Sequence, residues 1–251
     1  MNDKVEEYIV KKIAEKGAIH MTLLDPQKTS VEKCAEIAGE AVAGGTSAIM
    51  VGGSTLASNS DLDDVVKDIQ EKVDVPIILF PNNISGVSKY ADAIWFMSLL
   101  NSGSTYYLID VQALTAHLVK KHRLEALPMG YIIIGDGGAA GFIGQARGIP
   151  YDHPELALSY SLAGETLGMR YIYLEAGSGA ETPVPPSMIK LVKSYLSATL
   201  IVGGGIRDGV AARAAVEAGA DIIVTGTLVE ETSRIRESIN EIVSNIESKG
   251  R

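Results

Sequence analysis

Glu175 closes the apolar run Tyr171-Ile172-Tyr173-Leu174 and is followed by Ala176-Gly177-Ser178-Gly179. A carboxylate at the end of a buried strand is costly to hide without a partner. It reads as a structural ion pair, or as a base or hydroxyl acceptor, and the second reading is preferred. Tyr173 points the same way as Glu175, because side chains alternate along a strand. It serves either the core or a ligand. Asp25 ends another apolar run, Thr22-Leu23-Leu24-Asp25-Pro26. Proline stops the strand ladder there and exposes the carboxylate. That carboxylate caps a turn, or it holds a hard cation such as Mg2+ with a hydroxyl, waters and a substrate phosphate. Ser54, after Gly52-Gly53, can supply the hydroxyl; by itself it reads as a helix N-cap.

Two further runs end in glycine: Thr199-Leu-Ile-Val-Gly-Gly204-Gly205 and Asp221-Ile-Ile-Val-Thr-Gly226-Thr227. Glycine at a strand-to-helix junction lets backbone N–H groups approach an anion closely. Two such loops near the end of a repeating β/α chain match the phosphate site of a (β/α)8 barrel. A phosphorylated small molecule is therefore the expected ligand. Valine at Gly204 or Gly226 is expected to block its approach. Lys28 and Arg207 lie near strand ends and read as solvated charges within reach of a phosphate.

The remaining chemistry-bearing residues do not converge. His20, His117, His122 and His153 fall in separate elements, and the lone Cys34 sits in a helical pattern as a structural thiol. No GxSxG elbow and no P-loop occur.

Eight strand-like runs must position these residues, at 18–24, 47–52, 76–80, 93–98, 131–135, 170–175, 199–203 and 221–225. Helical patterns lie between them at 31–43, 61–72, 85–90, 105–123, 155–168, 186–196, 208–218 and 230–247, the 85–90 segment being barely two turns. A first helix at 3–16 is expected to plug a barrel floor. Eight alternating units predict an α/β fold, a (β/α)8 TIM barrel, as a single domain over 1–251. The runner-up is an open doubly wound sheet, though no GxGxxG follows the first strand. The segment 135–150 is too rich in glycine for a helix and is expected to be a loop, serving as a substrate lid, as a partner contact or as plain disordered chain.

The charge is −9, from 22 Lys and Arg against 31 Asp and Glu, without a basic block. That argues against nucleic acid. The N-terminus carries no apolar leader and no run reaches the roughly 20 residues of a membrane span. A cytoplasmic location is expected.

His20-Met-Thr-Leu-Leu-Asp25-Pro26, Val51-Gly-Gly-Ser54, Phe80-Pro81, Ser98-Leu-Leu-Asn101, Tyr171–Gly179, Val202-Gly-Gly-Gly-Ile-Arg207 and Thr225-Gly-Thr227 together resemble the geranylgeranylglyceryl phosphate synthase family. The resemblance spans nearly the whole chain, and Tyr-Leu-Glu-Ala-Gly-Ser-Gly is its most specific element. It implies a Mg2+-dependent prenyltransferase joining sn-glycerol 1-phosphate to geranylgeranyl diphosphate, the first ether bond of archaeal membrane lipids. By motif, Asp25 and Ser54 correspond to the metal positions. Tyr173, Leu174, Glu175, Ala176, Gly177, Ser178, Gly179, Gly204, Gly205, Gly226 and Thr227 correspond to the glycerol-phosphate site, with Glu175 catalytic. The family often has Gly-Asn where this chain has Gly226-Thr227, a change that keeps backbone donation. The Ala-Gly-Ser-Gly form resembles the subgroup that forms larger homo-oligomers. A prenyl groove is expected near Ile94, Trp95, Phe96, Tyr106 and Tyr107, with transient membrane-surface contact. A longer prenyl substrate, a sugar-phosphate isomerase or synthase barrel, and a phosphate-binding sensor are the competing readings.

Overall fold

The structure, a computed structural model, describes residues 4–28, 30–53 and 59–247. The chain runs α1 (Lys4–Lys16), β1 (Ile19–Leu24), α2 (Val31–Ala43), β2 (Ala48–Val51), α3 (Asn59–Gln70), β3 (Ile77–Leu79), β4 (Ala93–Leu99) and α4 (Val111–His122). It continues through β5 (Glu125–Ile133), α5 (Gly138–Ile143), α6 (Pro154–Thr166), β6 (Tyr171–Glu175), α7 (Pro186–Lys193) and β7 (Thr199–Gly203). It ends with α8 (Gly209–Glu217), β8 (Ile222–Thr225), α9 (Thr227–Glu231) and α10 (Ile235–Ile246). The strands form a closed parallel barrel in sequence order, sealed by β1 against β8 with Met21 opposite Val224. Closure excludes the open doubly wound sheet.

Alternation sorts each strand into two faces. Met21, Met50, Ile78, Trp95, Met129, Tyr171, Tyr173, Ile201 and Val224 fill the barrel, while Ile49, Ile94, Ile172, Leu174, Val202 and Ile223 pack under the helices. α1 plugs the floor as expected: Val5 and Ile9 join the interior core, and the Glu125 carboxylate accepts the Val5 and Glu6 N–H groups at 2.8 and 2.9 Å. Small residues let helices approach the wall. Ala157, Ser161 and Gly164 are the buried stripe of α6, and a Cβ on Gly164 would press on Ile172.

Several element boundaries differ from the sequence reading. No helix forms over 85–90; the Asn83 carboxamide captures the Ser85 N–H at 2.7 Å and turns the chain instead. β5 begins at Glu125 and runs through Pro128, which disguised its start. One π-helical turn, Tyr106–Asp110, precedes α4, and 230–247 divides into α9 and α10 at Thr232. Within 135–150 a short helix, α5, does form. Asn101 and Ser102 fix its far end: the Asn101 amide donates to the Arg147 carbonyl at 3.0 Å and Ser102 Oγ to the Gly144 carbonyl at 2.6 Å. Ala140, Ile143 and Gly144 of this segment line the mouth.

Candidate active site

Glu175 stands at the C-terminal rim of the barrel, 6% exposed. The Gly177 N–H donates to its Oε1 at 2.6 Å, and the Tyr131 and Tyr173 phenols lie beside the same carboxylate. Burial raises its pKa above the usual 4.5, and these three groups pull it back down. The two phenols are themselves pushed well above 10 by burial and by the carboxylate. Their rings meet edge-on, with centroids 5.2 Å apart, and Phe80 packs against both. This aromatic floor keeps Glu175 in one place.

Two cavities meet at Glu175. One is lined by Leu23, Tyr173, Ser178, Gly204, Gly205, Ile206, Arg207, Thr225, Gly226 and Thr227, together with Glu175. The residues expected to hold a phosphate gather here, and the cavity carries main-chain groups and the Arg207 side chain. Arg207 also donates to the Gly179 carbonyl at 3.2 Å. Gly204, at φ +80, passes so close to Glu175 that a Cβ would overlap Oε1. Thr227 Oγ1 accepts the Gly179 N–H at 3.1 Å and lies 3.2 Å from Ser178 Oγ. It therefore ties the β6 and β8 loops together, a role beyond backbone donation.

The second cavity is apolar, about 120 Å³, and shares Leu23, Glu175 and Ser178 with the first. Phe80, Met97, Leu99, Tyr107, Val111, Gln112, Tyr131, Ala140 and Ile143 supply much of its wall. Gln112 donates to the Met97 carbonyl, and its Oε1 is buried without a partner among the described residues. Gly53, Pro81 and Asn82 lead from this cavity into a third, which Asp25 lines with Gln27 and Ser85. Asp25 is 9% exposed, and its Oδ1 accepts the Gln27 N–H at 3.0 Å. The Gly53 backbone lies against that carboxylate so closely that a Cβ would overlap it. Ser54 lies outside the described residues.

Some expected contacts are corrected. Leu174 and Ala176 are buried in the helix-facing core, so their side chains turn away from the mouth. The Ala176 N–H is spent on the Gly203 carbonyl at 3.1 Å, and that of Gly177 on Glu175. Of the five groove residues only Tyr107 lines the apolar cavity. Ile94 faces the helices, Trp95 lies deeper against Tyr171, Phe96 lines a neighbouring crevice, and Tyr106 packs on Tyr107. Strand parity was the available signal: Met97 and Leu99 share the inward face with Trp95 but sit nearer the rim. Tyr131 was also missed, although it pairs in register with Tyr173.

Other strand-end groups are structural. Lys28 pairs with Glu230 at 2.7 Å, and the Asp136 carboxylate accepts the Gly138 N–H at 2.9 Å. Burial and nearby Asp25 raise the Cys34 thiol to about 11, as befits an inert thiol. Among the described residues no three His, Cys, Asp or Glu side chains cluster to hold a metal.

A family model for the PcrB family matches residues 10–246. The chain belongs to the PcrB family. Among PcrB relatives, geranylgeranylglyceryl phosphate synthase of Methanococcoides burtonii is 53% identical over 97% of this chain and 99% of its own. That of Thermofilum pendens is 50% identical over 97% of this chain and 95% of its own. The crystal structure of (S)-3-O-geranylgeranylglyceryl phosphate synthase from Thermoplasma acidophilum, in complex with its substrate sn-glycerol-1-phosphate, matches with TM-score 0.94 at 41% identity. That match covers 98% of this chain and 99% of the other. The resemblance read from the motifs is borne out. Among the described residues, no helix is long and apolar enough to cross a membrane.

Proposed function

We propose that this protein is a prenyltransferase joining sn-glycerol 1-phosphate to geranylgeranyl diphosphate, giving geranylgeranylglyceryl phosphate, the first ether-bond step of archaeal-type phospholipid synthesis. The carrying observation is that Glu175 lines both a glycine-bounded polar cavity and an apolar one. In this reading the phosphate rests against Gly204, Gly205, Gly226 and Arg207, and the glycerol hydroxyl faces Glu175. The prenyl chain lies over Phe80, Met97, Leu99 and Tyr131.

The hydroxyl oxygen forms a bond to the allylic carbon as the bond from that carbon to diphosphate breaks. The bonding pair leaves with the diphosphate, and Glu175 accepts the hydroxyl proton. Tyr131 and Tyr173 orient Glu175, and the apolar wall excludes water from the electrophilic carbon.

Asp25 suits Mg2+. It is a lone carboxylate at the mouth, beside Asn82 and a glycine backbone, and Mg2+ keeps most of its ligands as water and substrate phosphate. Ser54 would complete the protein's share. When bound, the ion neutralises the leaving diphosphate. A homo-oligomer and transient contact with a membrane surface that delivers the prenyl substrate belong to the same proposal.

The test is product formation, followed by mass spectrometry, with sn-glycerol 1-phosphate and prenyl diphosphates of several lengths, with Mg2+ and with chelator. The reading expects Mg2+-dependent product with the geranylgeranyl substrate. Product from a longer chain alone would move the assignment to that substrate. No product from any prenyl diphosphate would defeat the assignment.

A further inference from the structure

Behind the polar cavity lies a hydrogen-bonded chain that the reaction does not use. His20 and Thr22 on β1, Thr46 before β2 and Thr225 at the end of β8 are all buried. They lie on the helix-facing side of the wall, since their neighbours Ile19, Met21, Ile222 and Val224 fill the barrel. His20 Nδ1 is 3.0 Å from Thr46 Oγ1, and Nε2 is 2.9 Å from Thr225 Oγ1.

Proton counting orients the chain. Thr46 Oγ1 directs its one proton to the His20 carbonyl at 3.2 Å or the Ala48 carbonyl at 3.4 Å, and it accepts from Thr22 Oγ1 at 3.1 Å. With that proton on a carbonyl, Thr46 accepts from the imidazole, and Nδ1 carries the hydrogen. Nε2 must then accept from the Thr225 hydroxyl. Complete burial keeps the ring neutral, with its pKa lowered to about 3.

Thr225 and Gly226 both line the glycine-bounded cavity. We infer that His20 is a positioning residue for the phosphate subsite: by binding the Thr225 hydroxyl from behind, it fixes the main chain of the β8 loop. The inference rests on the proposed glycerol-phosphate reading of that cavity. With its hydroxyl spent on His20, Thr225 offers the ligand only its main chain. Cutting the tie frees the loop, and the ligand must then order it on binding, which lowers affinity.

The experiment titrates sn-glycerol 1-phosphate calorimetrically into wild type, Thr225→Val and Thr225→Ser, and measures KM for the prenyl diphosphate in parallel. Valine keeps the shape and loses the donor; serine keeps the donor. One net hydrogen bond predicts roughly three- to tenfold weaker glycerol-phosphate binding for valine. Serine should match wild type, and the prenyl KM should stay unchanged throughout. Equal affinity in all three proteins, equal losses in both variants, or equal weakening of both substrates would overturn the inference. A wild type that binds no sn-glycerol 1-phosphate would defeat the functional reading instead. Should valine prevent folding, Thr225→Ala carries the same comparison. Nitrogen-15 NMR of the wild-type ring checks the tautomer independently: Nδ1–H supports the chain, and Nε2–H refutes it.

Discussion

The Gly177 main-chain N–H donates to Glu175 Oε1 across 2.6 Å, so the loop after β6 folds back to hold its own strand's last side chain. Burial favours the protonated acid, while Gly177, Tyr173 and Tyr131 favour the carboxylate. The balance leaves the pKa raised. That same Gly177 N–H is then unavailable to a phosphate, which leaves the polar cavity's donors to Ser178 and the β7 and β8 loops.

The acid limb of kcat/KM should fall as pH drops through a value above the ordinary 4.5, because Glu175 acts as a base only when deprotonated. Tyr131→Phe removes a phenol that stabilises the carboxylate. Its acid limb should therefore move to higher pH. Profiles of wild type and mutant check the sign, and a limb that stays put or moves down would contradict the geometry.

Asp25→Asn should abolish turnover while leaving the fold intact. The side-chain carbonyl can still accept the Gln27 N–H, so the turn survives. The charge that would attract a hard cation is lost. Circular dichroism and a Mg2+ titration of activity read the two halves of this expectation. Wild-type turnover with an unchanged Mg2+ requirement would remove Asp25 from the metal site.

Gly204 and Gly226 should behave differently, contrary to the expectation that valine acts alike at both. Gly204 lies at φ +80 with no room beside Glu175 and Gly177, so Gly204→Ala should destabilise by about 1–3 kcal/mol. Gly226 lies at φ −124, and the nearest atom to an added Cβ is 3.4 Å away. Gly226→Ala should fold within about 0.5 kcal/mol of wild type. It should still weaken sn-glycerol 1-phosphate binding more than prenyl-diphosphate binding. Denaturant melts and calorimetry separate the two effects.

The barrel was legible because its strands are short β-branched runs at regular spacing and its loops carry glycine. Alternation also placed Tyr173 and Glu175 correctly from one strand alone. What stayed hidden depends on tertiary register. Tyr131 reaches Glu175 only because β5 and β6 pair it with Tyr173, and Pro128 masked where β5 begins. Leu174 and Ala176 lie inside the recognised motif, yet the alternation that turns Glu175 inward turns them outward. The helix expected over 85–90 failed because one side chain, Asn83, outcompeted a weak helical segment.

Stability should fall in acid through His20. Its pKa is about 3 when folded against an ordinary 6.5, so the unfolded chain binds the extra proton between those values. Folding is thus weakened as pH drops below 6.5, by about 2 kcal/mol at pH 5 for one proton. His20→Gln should flatten this part of the stability profile, measured by urea melts from pH 4 to 8. An unaltered slope in the variant would show that other groups carry it.

The most direct test of the account is single-turnover kinetics of Glu175→Gln. Glutamine keeps the size and can accept from Gly177, but it cannot take the hydroxyl proton. General-base contributions span roughly 10²–10⁴-fold, and a cationic allylic centre needs less help, so a loss of about 10²–10³-fold is predicted. The sn-glycerol 1-phosphate dissociation constant should change little. A folded variant within about twofold of the wild-type single-turnover rate would contradict the base assignment, because a loss of general-base catalysis should be far larger.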